Sequence, residues 1–341
     1  MTHDTTADID RILEAVHIES PTQLRVADQT LHVPSPQEGA PLAEIPLVKE
    51  LARAMYRFLY CRAGAGGFFD DLSDRGFVGE LSRANSGRGT WESGWVVEGP
   101  PEGNRLPVHK DGLTLWVLPG QMRSKERHLR RGMPCRVQMG KELRELLPGF
   151  YTILGDGDVG EGRDEEGTLV RFYWHLRSTG AVDFVRRLTS SLNGEKIPFR
   201  AKVVSSQNGY PRADAGVLYL GRRVLPRVLP LLPSLHEELS THLNADVPLF
   251  TRPMADGLGI AEDPGTEESF GQHRCRLVTE ALWQAFTRGL AGGSRRVAVD
   301  AALVEAGLDV RRLHLQPGST GAYPTLAEVA PPLAARPAEA P

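Results

Sequence analysis

Between Thr168 and Leu220 the chain carries three segments that alternate with period two: T-L-V-R-F-Y-W-H-L, I-P-F-R-A-K-V-V and R-A-D-A-G-V-L-Y-L. They are rich in β-branched and aromatic residues, and successive side chains of a strand point to opposite faces, so each reads as a strand. The alternation then sorts the side chains. Val170, Phe172, Trp174 and Leu176 share one face of the first strand, opposite Arg171, Tyr173 and His175. Phe199, Ala201 and Val203 oppose Arg200 and Lys202 in the second, and Ala213, Val217 and Tyr219 oppose Arg212 and Asp214 in the third. If the strands are neighbours, one sheet face packs a core and the other gathers three arginines, a lysine, a histidine, a tyrosine and an aspartate. Guanidinium forks suit a phosphate dianion, and a lysine crowded by arginines is expected to titrate low enough to serve as a base. The competing reading is a half-exposed antiparallel sheet with a solvated charged face.

Composition narrows the classes. At 40% hydrophobic and 24% charged residues the chain has the balance of a soluble globular protein. A net charge of −3 argues against a general nucleic-acid binder, which would carry a basic surplus. Six lysines stand against thirty-four arginines, so a lysine inside a motif weighs more than an arginine does. Cys61, Cys135 and Cys275 have no C-x-x-C spacing, which suggests neither a zinc site nor a disulfide framework and fits a reducing cytoplasm. The N-terminus is acidic and polar, and no run approaches the ~20 apolar residues of a membrane span, so a cytoplasmic, membrane-free protein is expected.

Along the chain, residues 5–17 read as a short helix, and Ser20 to Pro41 as a connector. Pro46 opens a strong helix through L-V-K-E-L-A-R-A-M-Y-R-F-L-Y. A glycine break at Gly64, Gly66 and Gly67 precedes a second helix, about Phe69 to Ala84, and then the loop N-S-G-R-G-T-W-E-S-G-W. Strands are expected at 94–98, 112–118, 134–139 and 149–155, with a basic helix or loop from Gln121 to Gly132 and a short helix from Gly140 to Leu147. G-D-G-D-V-G-E-G formally matches a nucleotide loop, but Asp156, Asp158, Glu161, Asp164, Glu165 and Glu166 would repel phosphate, so it reads as a hairpin turn. An amphipathic helix ends at Asn193-Gly194. Another, from Val224 to Leu243, must bend at its prolines. Ser269 caps a helix, S-F-G-Q-H-R-C-R-L-V-T-E-A-L-W-Q-A-F, at whose N-terminus free N–H groups favour an anion. There His273 can act as an acid toward a leaving phosphate and Arg274 can bind it; plain capping beside a surface histidine is the alternative. A further helix runs from about Arg296 to Ala306. No G-x-S-x-G, H-E-x-x-H, Walker loop or cysteine pair is present, so neither metal nor cofactor is expected.

Read together, F-L-Y-C near Tyr60, A-N-S-G-R-G-T-W-E-S-G-W, L-P-G-F-Y-T-I-L-G-D, V-R-F-Y-W, P-F-R-A-K, Y-P-R-A-D-A-G-V-L-Y, P-L-F-T-R, G-L-G-I-A-E-D-P and S-F-G-Q-H-R-C-R-L, in this order, resemble the HopA-type type III effector-like family, from the first long helix to about Phe286. Members of that family are also encoded with ribosomally made peptides, in lanthipeptide clusters of the most recently defined class and in thioamide-peptide clusters, beside an aminoglycoside-phosphotransferase-like kinase. The resemblance implies that the kinase phosphorylates Ser or Thr of a precursor peptide and that this chain eliminates the phosphate, leaving dehydroalanine or dehydrobutyrine. Bacterial phosphothreonine lyases run that elimination with a lysine base, a histidine acid and arginines around the phosphate. On this reading Lys202 is the base and His273 the acid, with His175 its rival and Tyr173 an alternative donor. Arg171, Arg200, Arg212 and Arg274 bind phosphate, while Asp214 orients Arg212. Arg252 stands where the family is expected to carry Lys. The alternative is a non-catalytic scaffold for precursor peptide and kinase, or an effector-like interaction module.

The expected architecture is α+β, a mostly antiparallel sheet with helices on one face and an open basic groove on the other. A helical N-terminal region with the Gly/Trp loop is expected over residues 1–110, a catalytic core over 111–310, and a disordered Ala/Pro tail over 318–341.

Overall fold

The computed structural model describes residues 4–63, 73–110, 112–125, 129–162 and 167–329. The glycine break after Ala63, the centre of the basic stretch, the second half of the acidic loop and the last twelve residues of the tail lie outside the described residues.

The three alternating segments form adjacent strands at the centre of a seven-stranded antiparallel sheet. Its order is Arg252–Ala255, Leu258–Glu262, Leu169–Trp174, Gly216–Gly221, Arg200–Val204, Phe150–Leu154 and Glu142–Leu147. The aliphatic face packs as expected: Val170, Phe172, Trp174, Leu176, Phe199, Ala201 and Val203 enter one core with the helices Arg75–Ala84 and Ala181–Gly194. On the other face Tyr173, Val217 and Ala261 join a second core. More than half of its other members come from the helices Thr6–Ala15, Pro46–Ala54, Phe270–Thr287 and Gly293–Glu305. The fold is α+β with mostly antiparallel strands.

Register corrects the phasing of the third strand. Tyr219 lies opposite both Arg171 and Arg200, and Val217 opposite both Tyr173 and Lys202, so Val217 and Tyr219 stand on the cationic face, while Leu218 and Leu220 enter the first core. Arg212 and Asp214 precede the strand, in the turn that leads into it. Alternation holds only within a strand, and this one begins at Gly216.

Other elements differ for local reasons. Residues 142–147 form a strand, because Pro148-Gly149, with Gly149 at φ 76°, makes a tight turn that folds them onto Phe150–Leu154. The connector after Ser20 holds two strands of a small sheet, Gln23–Val26 and Gln29–His32, reversed by Ala27-Asp28 with Ala27 at φ 54°. The stretch from Arg222 to His242 breaks into short helical turns at its prolines. The start of the tail is packed: Tyr323 and Ser319 donate to the fully buried Glu262, each at 2.6 Å.

A five-stranded sheet, ordered Leu113–Val117, Leu106–Lys110, Thr90–Val97, Pro134–Met139 and Met122–Arg123, carries the third core, which Leu154 of the large sheet joins. The acidic loop secures it. Asp156 accepts from the Gly89 backbone N–H at 3.0 Å and Asp158 from that of Ser93 at 2.8 Å. Among the described residues no helix is long and apolar enough to cross a membrane, and no three His, Cys, Asp or Glu side chains gather as metal ligands. Cys61, Cys135 and Cys275 are free and buried.

Candidate active site

A cleft of about 870 Å³ opens on the cationic face of the large sheet, between the Pro46–Ala54 helix and the start of the Phe270–Thr287 helix. Its floor holds Arg171, Lys202 and Tyr219 from three adjacent strands, with Arg212 and Phe150 beside them. Lys202 lies opposite Val217 on one neighbour and Thr152 on the other. Its Nζ sits 4.2 Å from the centroid of the Phe150 ring, over which the Arg212 guanidinium also lies, at 5.0 Å. Among the described residues no carboxylate pairs with Lys202.

Each arginine is held by its own acid. Arg171 donates through Nε to Asp263 at 2.6 Å and lies 5.1 Å over the Tyr219 ring. Arg212 grips Asp214 with two parallel bonds, Nε to Oδ1 at 2.5 Å and Nη2 to Oδ2 at 2.9 Å, and Tyr56 donates to the same carboxylate at 3.2 Å. Burial would raise the Asp214 carboxyl, but Arg212 in direct contact and Lys202 nearby hold it down at about 2. Burial, and then that carboxylate, push the Tyr56 phenol well above its usual range.

Tyr56 reaches Asp214 because the helix loosens. After Ala54 the backbone runs as one π-helical stretch, Met55–Tyr60, closed by the Cys61 N–H on the Tyr56 carbonyl at 2.8 Å, a bond five residues back rather than four. Lys49, Arg53 and Ala52 line the cleft from the same helix. Opposite them, Ser269 caps its helix by a reciprocal pair with Gln272, and both line the cleft. Gly271 permits that approach: a Cβ there would come within 2.4 Å of the Tyr60 ring. Arg276 of the same helix is clamped by Glu268 at 2.9 Å and Glu280 at 3.1 Å.

Of the residues singled out in the sequence, the structure thus brings Lys202, Arg171 and Arg212 together, with Asp214 orienting Arg212. It does not bring the others to the cleft. Arg200 turns to the five-stranded sheet and pairs with Glu92, because that sheet covers its end of the face. Arg274 is fully buried and donates to the carbonyls of Leu313 at 2.9 Å and Leu315 at 2.8 Å, so it anchors the C-terminal segment and has no phosphate access. His273 packs against Arg274, with its Nδ1 2.7 Å from Nη1. Burial, then Arg274 and Arg276, push the imidazole down to about 4, leaving it neutral at pH 7 and unsuited to donate a proton. Tyr173 lies in the second core beneath the cleft, edge-on to Tyr60 with centroids 6.5 Å apart. His175 is buried against the Asp246 carbonyl at 3.0 Å, and burial lowers it too. Arg252 belongs to the terminal strand on the far side of Leu258–Glu262 and does not line the cleft.

Tyr56, Phe150 and Tyr219 are the cleft residues that sequence reasoning passed over. For Tyr219 the signal was present: phased on Leu218 and Leu220, the third strand puts it with the cations. For Tyr56 it was the mixed face formed by Lys49, Ala52 and Arg53.

A model of the HopA1 effector protein family matches residues 143–315. Among solved structures the chain is similar to the effector protein of Pseudomonas syringae pv. tomato strain DC3000, at a TM-score of 0.44 and 15% identity over 79% of this chain and 94% of that one. It is also similar to the effector protein of Pseudomonas syringae pv. syringae strain 61, at 0.42 and 14% over 79% and 95%. No curated protein matches by sequence.

Proposed function

The chain belongs to the HopA1 effector protein family, and from that premise we propose that it is a carbon–oxygen lyase that eliminates phosphate from phosphoserine or phosphothreonine in a peptide. The observation that carries the reading is Lys202: an amine with no carboxylate partner among the described residues, set in a cleft beside two arginines that are each fixed by an acid. Elimination needs that combination. Arginine has five N–H donors, so Arg171 and Arg212 can keep their carboxylates and still offer N–H groups to a phosphate. With the phosphate held, the Lys202 amine takes the proton from Cα. The C–H electron pair becomes the Cα=Cβ bond, the Cβ–O bond breaks, and its pair leaves on the phosphate oxygen, where the arginines offset the charge. The products are a dehydroamino acid and inorganic phosphate.

In its narrower form the proposal sets the reaction on a ribosomally made precursor peptide that a partner kinase has phosphorylated. The resemblance of the ordered motifs to the family supports this form, and a cleft of about 870 Å³ is compatible with a peptide side chain.

Mass spectrometry of a synthetic phosphothreonine peptide incubated with the purified protein, without nucleotide or metal, tests the reaction. The expected result is loss of one phosphoric acid, reduced at least about a hundredfold in rate by Lys202→Arg, which keeps the charge but cannot become neutral. A peptide that stays phosphorylated both alone and with the partner kinase would overturn the lyase and leave a binding module, for which Lys202→Arg is harmless.

A further inference from the structure

Expelling phosphate requires a proton as well as a base, and neither histidine proposed from the sequence reaches the cleft. We propose that Tyr219 is the proton donor to the leaving phosphate oxygen; the inference rests on the lyase reading. No histidine lines the cleft among the described residues. Of the two phenols that do, Tyr56 is committed: its hydroxyl donates to Asp214, and burial beside that carboxylate makes it hold its proton.

Tyr219 sits where an acid is needed. Its strand runs between those of Arg171 and Lys202, and its ring lies under the Arg171 guanidinium, 5.1 Å from Cζ. Arg171 and the Tyr219 ring thus line the same part of the cleft. Lys202 pairs with Val217, two residues before Tyr219, which makes the base and the phenol diagonal cross-strand neighbours about 7–8 Å apart at their origins. Both side chains line the same cleft, so one bound phosphopeptide can face the base and the phenol together. In the step, the pair released from the Cβ–O bond stays on the phosphate oxygen, which takes the Tyr219 phenolic proton. The proton on Lys202 and the vacancy on the phenolate are then exchanged with solvent, restoring both groups.

The test is steady-state elimination by Tyr219→Phe, which keeps the ring under Arg171 and removes only the hydroxyl. The expected outcome is a loss of about 10²–10⁴-fold in kcat with KM nearly unchanged, and disappearance of the basic limb of the pH–rate profile. Undiminished kcat with wild-type turnover intact overturns the assignment and spares the lyase reading; absence of turnover in the wild type overturns both. If Tyr219→Phe lowers the thermal midpoint, 3-fluorotyrosine at position 219 decides. Its more acidic phenol, of nearly the same shape, is expected to move that limb to lower pH, and a stationary limb overturns the proposal.

Discussion

Asp214 shows how one residue can carry both stability and geometry. The residue is 3% exposed, an environment that by itself favours the protonated form, yet Arg212 and then Lys202 hold the carboxyl at about 2. A carboxyl depressed in the folded state stabilises the fold at every pH above its unfolded value, and the contribution is lost as pH falls through the folded one. Urea midpoints followed from pH 5 downward are therefore expected to drop between about pH 4 and pH 2, by an amount on the order of 2 kcal/mol from this group. Asp214→Asn, less stable throughout, is expected to lack that portion of the drop; an unchanged acid profile would show that the pair does not govern it. At this scale the sequence was informative about Lys202 and Arg171, which come from short strands with unambiguous alternation, whereas Arg212 reaches the cleft from the turn before its strand. It was misleading about Arg274 and His273. A cationic helix N-terminus looks the same whether it faces a ligand or, as here, two backbone carbonyls forty residues onward.

Among the elements, the strand Phe150–Leu154 does the most for the cleft. The Pro148-Gly149 turn sets its register, and the register brings Phe150 under both Lys202 and Arg212. Cation–π contacts of this kind contribute about 0.5–2 kcal/mol each and depend on an aromatic face. Phe150→Leu, which keeps an apolar side chain but removes the ring, is therefore expected to cost more than about tenfold in kcat/KM and about 1–2 kcal/mol of stability. Phe150→Tyr is expected to keep most of the activity. Equal activity of the leucine and tyrosine variants would show that the ring only fills space. The segment expected as a helix at 140–147 is the strand paired with Phe150–Leu154. Leu143, Leu146 and Leu147 stand at the i, i+3, i+4 spacing of a helix, and what makes the segment a strand is the reversal in the two-residue turn that follows.

Across the whole molecule, the cationic face of the large sheet is shared among three neighbours: the second core, the cleft and the five-stranded sheet. Glu92 ties the last of these. Itself 4% exposed, it accepts from Arg200, from Lys110 at 2.9 Å and from the Trp95 indole at 3.2 Å. Glu92→Ala strands a lysine and an arginine at the seam and is expected to cost about 3 kcal/mol in denaturant unfolding, with Glu92→Gln milder. A loss below about 0.5 kcal/mol, the level of a surface ion pair, would show that the seam is held by apolar packing alone.

What the sequence by itself determined was the α+β class, the three central strands and the aliphatic face they bury, because period-two alternation is a local property that each strand states for itself. It also singled out Lys202, by rarity and by placement among arginines. Only the tertiary structure decided which cations share a cleft. Strand order set Tyr219 between Arg171 and Lys202. A second sheet withdrew Arg200, the C-terminal segment enclosed Arg274, and a π-helical stretch carried Tyr56 to Asp214. The reason is range: alternation is fixed over a few residues, whereas access to a cleft depends on segments from about forty to more than a hundred positions away that compete to cover the same face.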